Sequence, residues 1–234
     1  MAIITMTIDH VGFLLFPQYP VFRVIGRIAY PLFAFLIAYG CIKTRNLSRY
    51  FLRLIAFAVW LQIVWNMWMD MGITNIFFTL AIGVLGIWVV ERLWAWSESY
   101  KKFSRADVAV HVVLCTLLLG LFCVAAMFLR VDYGAGGVTL IFMFYGILKA
   151  HKYLKWRRAF KEIFRILSVT AAVALFSWVV VAMSGFSLQW WGMLSVLFIW
   201  VFADKKIRTH WWEKYFFYVY YPAHFLILYL IAVL

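Results

Sequence analysis

Apolar stretches of helix length recur along the chain at residues 2–16, 22–41, 54–69, 76–92, 107–127, 134–149, 166–183, 187–203 and 215–234. Most approach the ~17–25 residues that a helix needs to cross a bilayer; the first is short. The stretches between them, up to 16 residues long, include no linker or low-complexity segment. The pattern predicts an all-α, polytopic integral membrane bundle of about nine transmembrane helices, forming a single domain over 1–234. Pro31 and Pro222 fall mid-helix, and each is expected to kink its helix by removing a backbone donor.

Composition agrees with this reading. Hydrophobic residues make up 67% of the 234, charged residues 13%, and mean hydropathy is +0.94. A soluble chain of this size cannot hide so much apolar surface. The first segment has no basic leader and no small-residue exit, so no cleavable signal is expected. Cys41, Cys115 and Cys123 lie in or beside apolar runs, an odd set without C-x-x-C spacing, and read as packing residues rather than metal ligands.

The net charge of +13 raises nucleic acid as a partner, but its distribution points to lipid. Lys43, Arg45, Arg49 and Arg53 follow the second segment, and Arg92, Lys101, Lys102 and Arg105 the fourth. Lys149, Lys152, Lys155, Arg157, Arg158, Lys161 and Arg165 follow the sixth, and Lys205, Lys206, Arg208 and Lys214 the eighth. Only Arg23, Arg27 and Arg130 remain for the odd-numbered loops. The positive-inside rule places the even loops and the N-terminus in the cytoplasm. In HKYLKWRRAFKEIFRIL, the apolar Tyr153, Trp156, Phe160, Ile163 and Leu167 recur at three- and four-residue steps. That predicts an amphipathic cytoplasmic helix near 151–165, lying on anionic lipid. Arg45, Arg49 and Arg53, spaced by four, would share one helical face able to hold a polyphosphate.

Against this background two adjacent ionisable residues stand out, Asp9 and His10 in IITMTIDHVGFLLF. In a helix they lie about 14 Å in at ~1.5 Å per residue, near the middle of a ~30 Å hydrocarbon layer. Ionisable groups at that depth mark functional sites by default. His224 is expected at similar depth in the last helix, and reads equally as a bonded core histidine or as a site residue. His111, near a helix end, reads as core. Arg27 can neutralise Asp9, a structural pair that still shapes a site. Neighbours on a helix point about 100° apart, so a partner from another helix, not Asp9, is expected to orient His10. No hydrolase elbow, Walker loop or His-Glu metal spacing occurs, which leaves a histidine general base as the chemical candidate.

The blocks IITMTIDHVGFLLFP, IGRIAYPLFAFLIAYG, NIFFTLAIGVLG, DYGAGGVTLIFMFY and KYFFYVYYPAHFLILYLI, in order from residue 2 to 232, resemble the TraX family. That family is named for the conjugal-transfer protein that acetylates F-pilin at its N-terminus, and is related to larger transmembrane acyltransferases. The resemblance implies a transmembrane acetyltransferase of the bacterial inner membrane, with acetyl-CoA as co-substrate and no metal. The acceptor would be a carbohydrate hydroxyl or a protein N-terminus. The matching positions are Asp9, His10, Gly26, Arg27, Pro31, Asn75, Tyr133, Gly134, Tyr221 and His224. On this reading His10 is the general base, Asp9 and Arg27 tune it, and His224 assists. Arg45, Arg49 and Arg53 hold the donor's phosphates, while Asn75, Tyr133 and Tyr221 contact the acceptor. The alternative is a small proton-coupled transporter using Asp9-His10 as a relay.

Overall fold

The structure, a computed structural model, describes residues 1–68, 74–98, 105–202 and 213–234. Lys101, Lys102, Lys205, Lys206 and Arg208 lie outside the described residues. Among the described residues the apolar segments are helical: α1 Ala2–Leu14, α2 Pro20–Gly26, α3 Ala29–Lys43, α4 Leu47–Trp68, α5 Ile76–Glu98, α6 Arg105–Phe128, α7 Gly134–Tyr153, α8 Arg158–Ser184, a 3-10 helix Ser187–Leu194, α9 Ser195–Phe202 and α10 Glu213–Val233. Among the described residues there is no strand, only an isolated bridge between Thr74 and Val131.

The protein is a multi-pass helical membrane protein, and among the described residues six helices are long and apolar enough to cross: Pro20–Lys43, Leu47–Met67, Ile76–Trp96, Ala109–Phe128, Arg158–Ser184 and Tyr215–Val233. This is fewer than the nine expected from the apolar runs. Ala2–Leu14 and Ser187–Val201 are shorter helices, because Pro17 and Pro20 follow the first and a 3-10 segment opens the second. In α6 the span has a hydropathy of 2.5, yet only 11% of it is buried. A helix apolar on every side and exposed over most of it is made for lipid.

Three local expectations are corrected. The second segment does not kink at Pro31 but breaks at residues 27–28. Proline at 31 cannot donate to the carbonyl of residue 27, and the chain closes α2 with an Ile28 amide bond to Ile25 of 3-10 type instead. Pro31 thereby falls in the first turn of α3, where a missing N–H costs nothing. Residues 151–165 do not form one separate helix: 154–157 are non-helical, and the basic positions beyond them open the long α8. Arg45 precedes α4, whose first turn is capped by the Asn46 side chain accepting from the Arg49 amide at 2.9 Å. The shared face is left with Arg49 and Arg53.

The chain, expected as one domain, divides into two compact units, residues 1–35 with 155–234 and residues 36–154. In the first, α1 packs on α2 and α10, and the 3-10 helix packs on α2, α8 and α9. Gly185 ends α8 in the left-handed region at φ 69°, which turns the chain into the 3-10 helix. In the second unit α5 packs on α4, α6 and α7. Its core gathers Ile82, Ala126, Val131 and Val138, with Phe78, Leu119, Phe122 and Phe142 against them.

Candidate functional site

The unit formed by 1–35 and 155–234 contains the polar cluster, and α1 builds it by presenting two faces. Thr7 and His10, three apart, meet α10, whereas Asp9 and Gly12, also three apart, meet α2. Asp9 and His10 therefore turn to different neighbours, as their angular offset on a helix requires.

On the first face His10 Nδ1 lies 2.7 Å from His224 Nε2. The two rings are tilted by only 10° and their centroids are 5.0 Å apart. That separation is about the most that such a nitrogen contact allows between two five-membered rings. The imidazoles therefore lie end to end in nearly one plane, the arrangement in which donor and lone pair align best. The proton positions follow from the partners. His224 Nδ1 is 2.9 Å from the Tyr220 carbonyl, which only accepts, so Nδ1 carries the hydrogen. In neutral His224 the Nε2 lone pair then accepts from His10 Nδ1. Neutral His10 is left with an unprotonated Nε2, which has no hydrogen-bond partner among the described residues.

The surroundings hold this relay still. Thr7 Oγ1 donates to the Ile3 carbonyl at 2.9 Å and so accepts from the Tyr220 hydroxyl at 2.7 Å. The Tyr220 ring stacks on His224 at 5.0 Å. Tyr221 and Phe225 stand edge-on to His10, with centroids at 5.9 Å and 5.2 Å.

On the other face Asp9 is held at both oxygens. Arg23 Nη1 donates to Oδ2 at 2.8 Å, and Arg27 Nη2 donates to Oδ1 at 2.9 Å. A carboxylate clamped by two guanidiniums is a rigid tie between helices. The close approach depends on Gly26, where a Cβ would run into the Asp9 carboxylate. Gly26→Ala is expected to cost about 1–3 kcal/mol as an overpacked contact. Thermal unfolding in detergent beside the wild type measures it.

The chain is similar to known proteins over most of its length. The family model described as TraX protein matches residues 1–232. The chain belongs to the TraX family. It is also 30% identical over 153 residues to an uncharacterized protein of Rickettsia prowazekii (strain Madrid E), covering 65% of this chain and 54% of that protein. The chain thus aligns with about half of that relative's length. No solved structure matches.

Of the positions carrying the TraX resemblance, Asp9, His10, Gly26, Arg27, Tyr221 and His224 come together in this one unit. Asn75 and Tyr133 belong to the other, as do the three exposed arginines Arg45, Arg49 and Arg53. Asn75, expected to contact an acceptor, is 1% exposed and its carboxamide is taken up internally. Its Nδ2 donates to the Ala58 carbonyl at 2.8 Å and to Gln62 Oε1 at 3.0 Å, and its Oδ1 accepts from the Phe77 amide. It is a cap and staple for α5 in this TraX-family fold. Tyr133 caps α7 in the left-handed region at φ 60°, a conformation that costs ~1–3 kcal/mol for a residue with a side chain.

Sequence reasoning had not singled out Arg23, Thr7 and Tyr220. The spacing of four between Arg23 and Arg27 was a usable signal. Tyr220 had none, because it sits in the aromatic run YFFYVYY.

Proposed function

We propose that this TraX-family protein is a membrane-embedded acetyltransferase that moves an acetyl group from acetyl-CoA to a hydroxyl or amine, in the inner membrane of a bacterium. The observation that carries the reading is the His10–His224 relay, whose hydrogen bonds leave His10 Nε2 as a lone-pair base. In the reaction the acceptor oxygen or nitrogen forms a bond to the thioester carbonyl carbon while its proton moves to His10 Nε2. The imidazolium that forms keeps its Nδ1–H bonded to His224 Nε2, whose lone pair stabilises the new charge. Collapse of the tetrahedral intermediate breaks the carbon–sulfur bond, and the proton on His10 passes to the departing thiolate. The products are an acetylated acceptor and CoA thiol. Asp9 does not exchange protons in this scheme; with its arginines it fixes α1 against α2, so that His10 stays aligned with α10.

The test is incubation of the purified protein with acetyl-labelled acetyl-CoA and a set of sugars, amino sugars and peptides with free N-termini. Label transferred to an acceptor with stoichiometric release of CoA thiol supports the proposal. No consumption of acetyl-CoA with any acceptor overturns it and leaves the histidines to the relay of a transporter. The role of His224 has its own signature. His224→Gln keeps an oxygen able to accept from His10 Nδ1 and is expected to retain about tenfold more activity than His224→Ala.

A further inference from the structure

Both arginines hold Asp9, but with different edges of the guanidinium. Arg27 commits its side-on edge: Nη2 donates to Asp9 Oδ1 at 2.9 Å and Nε to the Arg23 carbonyl at 3.3 Å. Arg23 gives Asp9 only its Nη1, at 2.8 Å from Oδ2. Its side-on pair, Nε and Nη2, has no hydrogen-bond partner among the described residues. Those two N–H groups run parallel and form the fork that matches the paired oxygens of a carboxylate or a phosphate.

Accessibility separates the two residues in the same sense. The Arg27 side chain is 8% exposed and that of Arg23 is 27% exposed. The Arg23 guanidinium is also positioned in advance, 5.4 Å from the Phe13 ring and 6.0 Å from that of Phe186. A cation seated on aromatic rings and tied to a carboxylate by one nitrogen loses little further freedom when a ligand arrives. Asp9 divides its single charge between two guanidiniums, so Arg23 receives only part of the compensation that a charge in an apolar span needs.

We propose that Arg23 is an oxyanion-binding residue, taking a carboxylate or phosphate group in its Nε–Nη2 fork on the helix next to α1. Arg27 is a structural partner of Asp9 and takes no ligand. The oxyanion has two sources, a soluble ligand or the headgroup of an anionic lipid. Binding at Arg23 does not depend on acetyl transfer, so it is measured without catalysis.

The experiment follows thermal unfolding in neutral detergent at constant ionic strength, for wild type, Arg23→Gln and Arg23→Lys. One arm titrates inorganic phosphate; the other adds phosphatidylglycerol, with phosphatidylcholine as the control lipid. The expected result is a saturable stabilisation of the wild type, weakened about tenfold to a hundredfold in apparent Kd by Arg23→Lys and abolished by Arg23→Gln. Lysine keeps the charge and lacks the fork. A response to inorganic phosphate assigns the site to soluble ligands, and a response to phosphatidylglycerol alone assigns it to the lipid headgroup. The proposal is overturned if neither probe stabilises the wild type, or if a folded Arg23 variant responds as the wild type does. Should Arg23→Gln fail to fold, an unchanged Kd in Arg23→Lys is sufficient to reject it.

Discussion

His10→Ala is expected to slow acetyl transfer by about 10²–10⁴-fold, the range that a positioned general base contributes. The residue is half-buried, and its only hydrogen bond among the described residues goes to His224, so truncation removes the base without unpinning α1 from α2. The Asp9 clamp and the Thr7–Tyr220 bond remain in place. Rates of CoA release, measured beside a detergent melting curve and acetyl-CoA binding, separate the two effects. Lost turnover with binding and melting preserved is the expected outcome. A variant that turns over at the wild-type rate would remove His10 from the chemistry.

The second large effect falls on folding. Asp9→Asn leaves two guanidiniums facing a neutral amide in a site where the carboxylate is 13% exposed and Arg27 8%. Removing one partner of a buried ionic set costs about 3–5 kcal/mol, because the charge left behind has lost its water and its counterion. The variant is therefore expected to insert poorly or to melt well below the wild type. Combining Asp9→Asn with Arg27→Gln removes an orphaned charge and should recover part of the loss, a non-additivity that a double-mutant cycle reads directly. If Asp9→Asn melts with the wild type, the clamp is not what holds α1 to α2.

How far the sequence could be read depended on whether a signal was local. Among the described residues the apolar runs are helical, because in lipid a segment can satisfy its backbone within itself only as a helix. Membrane class and the separate directions of Asp9 and His10 were legible for similar reasons of composition and helical geometry. The similar depth expected for His10 and His224 is consistent with their contact. Less legible was the break at residues 27–28, although Pro31 names the carbonyl it cannot serve, four residues back. The face shared by Arg45, Arg49 and Arg53 dissolved because Asn46 starts a helix after Arg45, a cap signal present in RNLSR. The spent carboxamide of Asn75 was beyond reach: it depends on Ala58 and Gln62 being carried opposite it by α4 packing on α5, a tertiary fact with no periodicity of its own.

The bond between His10 and His224 joins positions 214 residues apart in the chain. At ~5–20 residues per second, a ribosome needs on the order of 10–40 s to traverse that interval. Until α10 has been made, His10 has no companion ring, while the Asp9 clamp needs only Arg23 and Arg27 and can close early. The order of synthesis therefore lets the Asp9 clamp form before α10 supplies the partner that orients His10. A chain cut before α10 would keep the Asp9 clamp and lack the His10–His224 bond.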